Sequence, residues 1–97
     1  MKFFFEWDSV KAHSNFNKHK VSFERAAEIF SDPLALSIYD SDHSHREGRW
    51  ITIGKTSGES LIVAVHTFNE IDDENVMIRI ISARKPTSKE KKQYLEY

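Results

Sequence analysis

The sequence predicts an α+β fold in which helices stand apart from an antiparallel sheet. Three observations predict it. Phe23, Ala26, Ala27 and Phe30 recur at helical spacing. From Leu34 onward the apolar pattern changes to a period of two. The runs that follow are short, rich in β-branched residues and divided by polar turns.

Taken in order, Phe3 to Trp7 has the aromatic, extended character of a strand, and Asp8 or Ser9 can cap a helix from Ser9 to His19. Ser22 caps a second helix, whose stripe Ile29 widens. That helix stops at Asp32-Pro33, because a residue before proline is pushed out of the helical region. Arg25 holds the N3 position, where Glu or Gln would complete a capping box. Leu34 to Tyr39 alternates as a strand, Asp40 to Gly48 is a polar loop, and Trp50 to Gly54 is extended again. Thr56-Ser57-Gly58 forms a hairpin turn. Leu61 to Val65 is a continuous apolar run, as in a strand buried on both faces, and it leads into His66 and Thr67. An acidic connection, Asn69 to Asn75, precedes the β-branched strand Val76 to Arg84. Short connections imply antiparallel neighbours. Thr87-Ser88-Lys89-Glu90 is a full capping box and opens a helix that runs to the C-terminus. The expected order is β-α-α-β-β-β-β-α, with two helices in the N-terminal half and one at the end.

A chain of 97 residues is expected to build a single domain, residues 1–97, around one modest core. Hydrophobic residues at 39% place it outside the disordered class. The absence of cysteine leaves no disulfide framework or thiolate metal site and fits a reducing compartment, so cytoplasm is the expected location. Phe3-Phe4-Phe5 meets Glu6 and Asp8 too soon to be a signal sequence, and no membrane segment is expected. A net charge of −1 gives no whole-molecule field for nucleic acid, so any such contact is local. The basic residues gather toward the end, at Arg79, Arg84, Lys85, Lys89, Lys91 and Lys92.

Set in order, several short motifs carry a resemblance across nearly the whole chain. They are Phe5-Glu6-Trp7-Asp8 with Lys11, Asn15, Lys18-His19, and Val21-Ser22-Phe23-Glu24 with Ala26, Ala27 and Phe30. They continue with Asp32-Pro33, Asp42-His43-Ser44, Arg49-Trp50, Ile53-Gly54, Val65-His66-Thr67, the run Ile78 to Arg84, Thr87, Glu90 and Tyr94. In this pattern the sequence resembles the BrnT toxin family, whose members resemble the RelE-type ribonuclease fold. Lys20 stands where that family usually has Gly, Arg25 where Glu is usual, and the Glu70 to Glu74 stretch is longer than the family's hairpin. The resemblance implies an endoribonuclease toxin neutralised by a BrnA-like antitoxin with a ribbon-helix-helix domain. Operator DNA would be bound only through that complex. A catalytically degenerate toxin fold that keeps antitoxin binding and operon control is the alternative, motivated by the low net charge and the acidic insertion.

Metal-independent RNA cleavage needs a base for the 2′-OH, an acid for the leaving 5′-oxygen and cations for the phosphate. Arg79 and Arg84 are the leading phosphate ligands, since guanidinium binds phosphate bidentately. Either could instead pair with an acid. Strict alternation puts them on opposite faces, so either a bulge lies near Ser82 or only one faces the cleft. His66 is the expected proton-transfer residue, with a core histidine bonded to a carbonyl as the other reading. Glu90 is a capping acid or a base. Tyr94 packs or stacks on a nucleobase. Arg49, Lys85, Lys89 and Lys92 are candidate RNA contacts or a solvated face. No cofactor is expected, and the loop Asp40 to His45 lacks the further Cys or His that a zinc site would use.

Overall fold

The computed structural model describes residues 1–96. Strand β1 (Lys2–Glu6) is followed by helix α1 (Ser9–His19) and helix α2 (Phe23–Ala27), which tightens into a 3-10 turn over Glu28–Ser31. Strand β2 (Leu36–Tyr39) leads through a second 3-10 turn, Ser41–His43, to β3 (Trp50–Lys55) and β4 (Leu61–His66). The short β5 (Asn69–Glu70), the long β6 (Asn75–Arg84) and helix α3 (Ser88–Glu96) complete the chain. The last helix thus runs through Glu96, and Tyr97 lies outside the described residues. The α+β class and the expected order hold, with β5 as an addition. Among the described residues no helix is long and apolar enough to cross a membrane.

The sheet runs β1-β6-β4-β3-β2, with β5 also paired to β6. Its character is mixed, which corrects the expected antiparallel sheet: β1 lies parallel to β6, Lys2 opposite Asn75 and Glu6 opposite Arg79. Short loops dictate antiparallel pairing for the strands they join. β1 and β6 are separated by almost the whole chain, so no loop constrains their direction.

Helix α1 starts where the Asp8 carboxylate accepts hydrogen bonds from Val10 and Lys11 N–H, at 2.9 and 3.0 Å. It ends at Lys20, whose φ of 60° is left-handed. This explains why glycine suits the position. Ser22 caps α2 by accepting from Arg25 N–H at 3.1 Å. Phe23, Ala26 and Ile29 then bury themselves against Ile62, Ala64, Val76, Ile78 and Ile80, forming the main core on one face of the sheet. The Ile29 turn comes so near β3 that a Cβ on Gly54 would stand 2.8 Å from Ile29 Cβ.

One extra residue interrupts β6. Val65 lies opposite Ser82, yet its neighbour His66 lies opposite Ile80, so Ile81 is a bulge. Ile78 and Ile80 before it and Ala83 beyond it all enter the same core. Alternation is therefore reset, and Arg79 and Arg84 share the other face. The alternative left open by the sequence resolves as a bulge beside Ser82.

Asn15 secures this break. Its Nδ2 donates to Ala83 O at 2.8 Å and to Val21 O at 3.2 Å, while its Oδ1 accepts from Ala83 N–H at 3.2 Å. β1 has already ended opposite Arg79, so the side-chain amide takes the place of a missing strand. Asn15→Ala should cost about 2 kcal/mol by orphaning both Ala83 groups. Lys20→Gly should gain about 1 kcal/mol by relieving the left-handed residue. Urea denaturation midpoints measure both, and an unchanged midpoint for Asn15→Ala would refute its strand-like role.

Candidate active site

The outward face of β6 carries an arginine at each end of its bulged half, and the two are held differently. Arg79 is fixed through its backbone: its N–H donates to Thr67 Oγ1 at 3.3 Å and its carbonyl accepts from Thr67 N–H at 3.0 Å. Its guanidinium donates to the Glu47 carboxylate. The same carboxylate lies 3.8 Å from Arg49 Nη2. One acid between two guanidinium groups leaves a surplus positive charge. In addition, Arg49 Nε is buried with no hydrogen-bond partner among the described residues.

Glu47 comes from the loop between β2 and β3, which local polar bonds shape. Asp40 N–H donates to Arg49 O at 2.8 Å, and Ser44 Oγ donates to Asp40 O while accepting from Arg49 N–H at 3.0 Å. His43 Nδ1 sits 2.9 Å from Asp40 Oδ2, which orients the ring. His43, His45, Arg46, Glu47 and Arg49 line a hollow of about 480 Å³. Two guanidinium groups, a carboxylate and two imidazoles therefore border one space.

At the other end, Arg84 grips Glu90 with two parallel bonds of 2.7 and 2.9 Å. Glu90 also accepts from Thr87 N–H at 2.8 Å, and Thr87 Oγ1 accepts from Glu90 N–H at 3.2 Å. The capping box is thus formed as its sequence implies. Hydrogen bonds from Arg84 hold the Glu90 carboxyl down at about 2. Arg84 has its counter-charge in full. It lies roughly 15 Å along the strand from Arg79, too far to share one phosphate.

His66 is on the opposite face and is 2% exposed. Its Nδ1–H donates to Thr67 O at 3.0 Å, so Nε2 accepts from the Thr52 hydroxyl at 2.7 Å. Burial pushes its pKa below the usual histidine value. The sheet separates His66 from Arg79, and of the two readings the sequence left open His66 takes the place of the core histidine, bonded to a carbonyl and set against Phe30, ring centroids 4.7 Å apart. Tyr94 is likewise buried, its hydroxyl donating to Asp32 Oδ2 at 2.7 Å. That bond pushes Tyr94 up to about 12. Asp32 also accepts from Leu34 and Lys55 N–H. Burial pushes its carboxyl up, yet these bonds outweigh that and leave it below the usual carboxylate value.

Of the expected RNA contacts, only Arg49 joins Arg79. Lys85 faces a separate groove with Arg25, Lys55 and Lys91. Lys89 is exposed on α3, and Lys92 lies 3.9 Å from Glu96. Among the described residues, no three His, Cys, Asp or Glu side chains gather closely enough to hold a metal ion. Sequence reasoning gave Glu47 and Arg46 no part in the chemistry and weighed His43 and His45 only as members of a zinc site. The available signal was Arg79 itself, since a cation within an apolar strand needs an acid.

A family profile described as the ribonuclease toxin BrnT of type II toxin–antitoxin systems matches residues 7–90. No curated protein matches the chain.

The Arg84–Glu90 pair has a pH signature. Glu90 titrates at about 2 in the fold against an ordinary 4.5, so its stabilisation is present above 4.5 and is lost as pH falls toward 2. In urea titrations the wild type should exceed Glu90→Gln at neutral pH, and the gap should close over that acid window. A gap independent of pH would mean that the pair does not stabilise the fold through its charge.

Proposed function

The chain belongs to the BrnT family of ribonuclease toxins of type II toxin–antitoxin systems, and from that membership we propose that it is a cytoplasmic endoribonuclease that cleaves RNA without a metal ion. The observation that carries the reading is Glu47 shared between Arg79 and Arg49, which leaves uncompensated positive charge beside a hollow lined by imidazoles. A substrate phosphate displaces Glu47 from the guanidinium groups and supplies the missing counter-charge.

In the proposed reaction, the freed Glu47 carboxylate takes the proton from a ribose 2′-OH. The 2′-oxygen bonds to phosphorus as the bond to the 5′-oxygen breaks, and the His43 imidazole, oriented by Asp40, gives a proton to the leaving oxygen. The products are a 2′,3′-cyclic phosphate and a 5′-hydroxyl end. Arg79 and Arg49 bind the charge that builds on the phosphoryl oxygens. Arg84, Glu90 and Tyr94 position α3 and do not meet the reacting atoms. Lys85, Lys89 and Lys92 serve, at most, distant parts of the strand.

Neutralisation falls to a BrnA-like ribbon-helix-helix antitoxin, and operator binding to the complex of the two. The family resemblance supports both.

Purified protein should cut RNA in EDTA. Arg79→Ala should slow cleavage by about 100-fold or more, and Glu47→Gln by a similar factor of about 100. Loss of cleavage in EDTA, or full activity in Arg79→Ala, would sink the mechanism. Absence of any cleavage alongside tight antitoxin binding would instead favour the degenerate-toxin reading, for which the internal pairing of both Arg79 and Arg84 speaks.

A further inference from the structure

We infer that β2 is the edge on which the antitoxin docks, by laying an extended segment beside Leu36–Tyr39 and continuing the sheet. The inference rests on the antitoxin partnership stated above and adds where and how the partner binds.

β2 ends the strand order and, among the described residues, pairs only with β3. The direction of its free backbone groups follows from one bond. Asp40 N–H donates to Arg49 O, and in an antiparallel ladder the residues that bond inward alternate with those that do not. Ile38 and Leu36 therefore turn toward β3, while Ser37 and Tyr39 direct N–H and C=O outward. These are unpaired groups of the kind an added strand satisfies.

The two edges of the sheet contrast in their side chains. β1 carries Lys2 and Glu6, charges of the kind that discourage strand addition. Leu36–Tyr39 carries no charge. It is apolar and open: Ile38 and Tyr39 are 65% and 49% exposed.

Hollows also flank β2 on both faces. On the core side a cavity of about 270 Å³ lies between Ser37 and the rings of Phe3, Phe30, Trp50 and Phe68. On the outward side one of about 350 Å³ lies among Leu36, Ile38, Ile51, Ile53 and Val63 beneath α3. Successive side chains of a strand point to opposite faces. An added segment with apolar residues at neighbouring positions therefore places one in each hollow, and backbone bonding and pocket filling specify the same occupant. On the core side the Ser37 hydroxyl donates to Thr52, 2.7 Å away, which in turn donates to His66. The polar floor is thus internally satisfied and leaves an aromatic lining for an apolar side chain.

The test uses the full chain and the protein encoded beside its gene, purified together and apart. Tyr39→Pro removes an outward N–H and leaves the β2–β3 ladder intact. Tyr39→Val controls for the lost ring. Ile38→Lys guards the edge with a charge without touching the backbone.

The expected result is slowed amide exchange at Ser37 and Tyr39 on binding, with Kd raised about tenfold or more by Tyr39→Pro and by Ile38→Lys. Tyr39→Val should bind close to wild type, and RNA cleavage by free Ile38→Lys should be unchanged. Wild-type affinity in both Tyr39→Pro and Ile38→Lys, or protection confined to other strands, overturns the inference alone. Protection of Ser37 and Tyr39 in the isolated protein at concentrations where it self-associates assigns the edge to a second copy and overturns it too. Failure of the wild type to bind the neighbouring protein removes the antitoxin reading along with this one.

Discussion

The arrangement of this molecule depends on the extra residue in β6. A regular strand would send Arg79 and Arg84 to opposite faces and turn Ala83 out of the core. With Ile81 bulged, Val76, Ile78, Ile80 and Ala83 all face the α1 and α2 side, and both arginines face away from it. A bulge leaves backbone groups needing partners. Asn15 supplies them, bonding both the N–H and the C=O of Ala83 from a position on α1. One buried amide thus joins the first helix, the turn at Val21 and the strand that presents the candidate phosphate ligand.

Counting charges separates two arginines that look alike in the sequence. Arg84 and Glu90 form a closed one-to-one pair inside a helix cap, and displacing Glu90 would break the cap as well as the ion pair. Glu47 serves two cations from a loop, and among the described residues its carboxylate makes no further ion pair. The same division applies to histidine. His66 is locked between a carbonyl and a hydroxyl in the core, whereas His43 is steered by a single carboxylate at the surface. Rigid pairs hold the sheet and its helix. The exchangeable ones collect on the loop.

Periodicity and capping chemistry made the elements legible before any coordinates. The Phe23 to Phe30 stripe, the Asp32-Pro33 stop and the Thr87 to Glu90 box each depend on neighbours in sequence, and each formed. What depends on distant neighbours was hidden. The parallel pairing of β1 with β6 joins the two ends of the chain, and the bulge is fixed by Asn15 across 68 positions. The site shows the same limit. Arg79 is recognisable as a misplaced cation, but its acid lies 32 residues away in a loop without periodicity. His66 kept two readings because a histidine ending an apolar run looks the same whether its strand shows that position to the core or to solvent.

The proposed docking edge and the loop that carries Glu47 are also mechanically joined. Tyr39 is the last residue of β2, and its ring lies against Gly48, where a Cβ would stand 3.3 Å from Tyr39 Cε1. Gly48 separates Glu47 from Arg49. The loop opens with Asp40, whose N–H continues the β2–β3 ladder and whose carboxylate steers His43. A segment paired to Tyr39 therefore stiffens the residue that abuts the loop at one end and begins it at the other. The proposed cleavage requires Glu47 to leave two guanidinium groups so that phosphate can enter, a motion that needs slack in the same loop. On that proposal, an antitoxin docked on β2 would silence the toxin without covering Arg79, by holding the loop in the state where Glu47 occupies the place of the substrate.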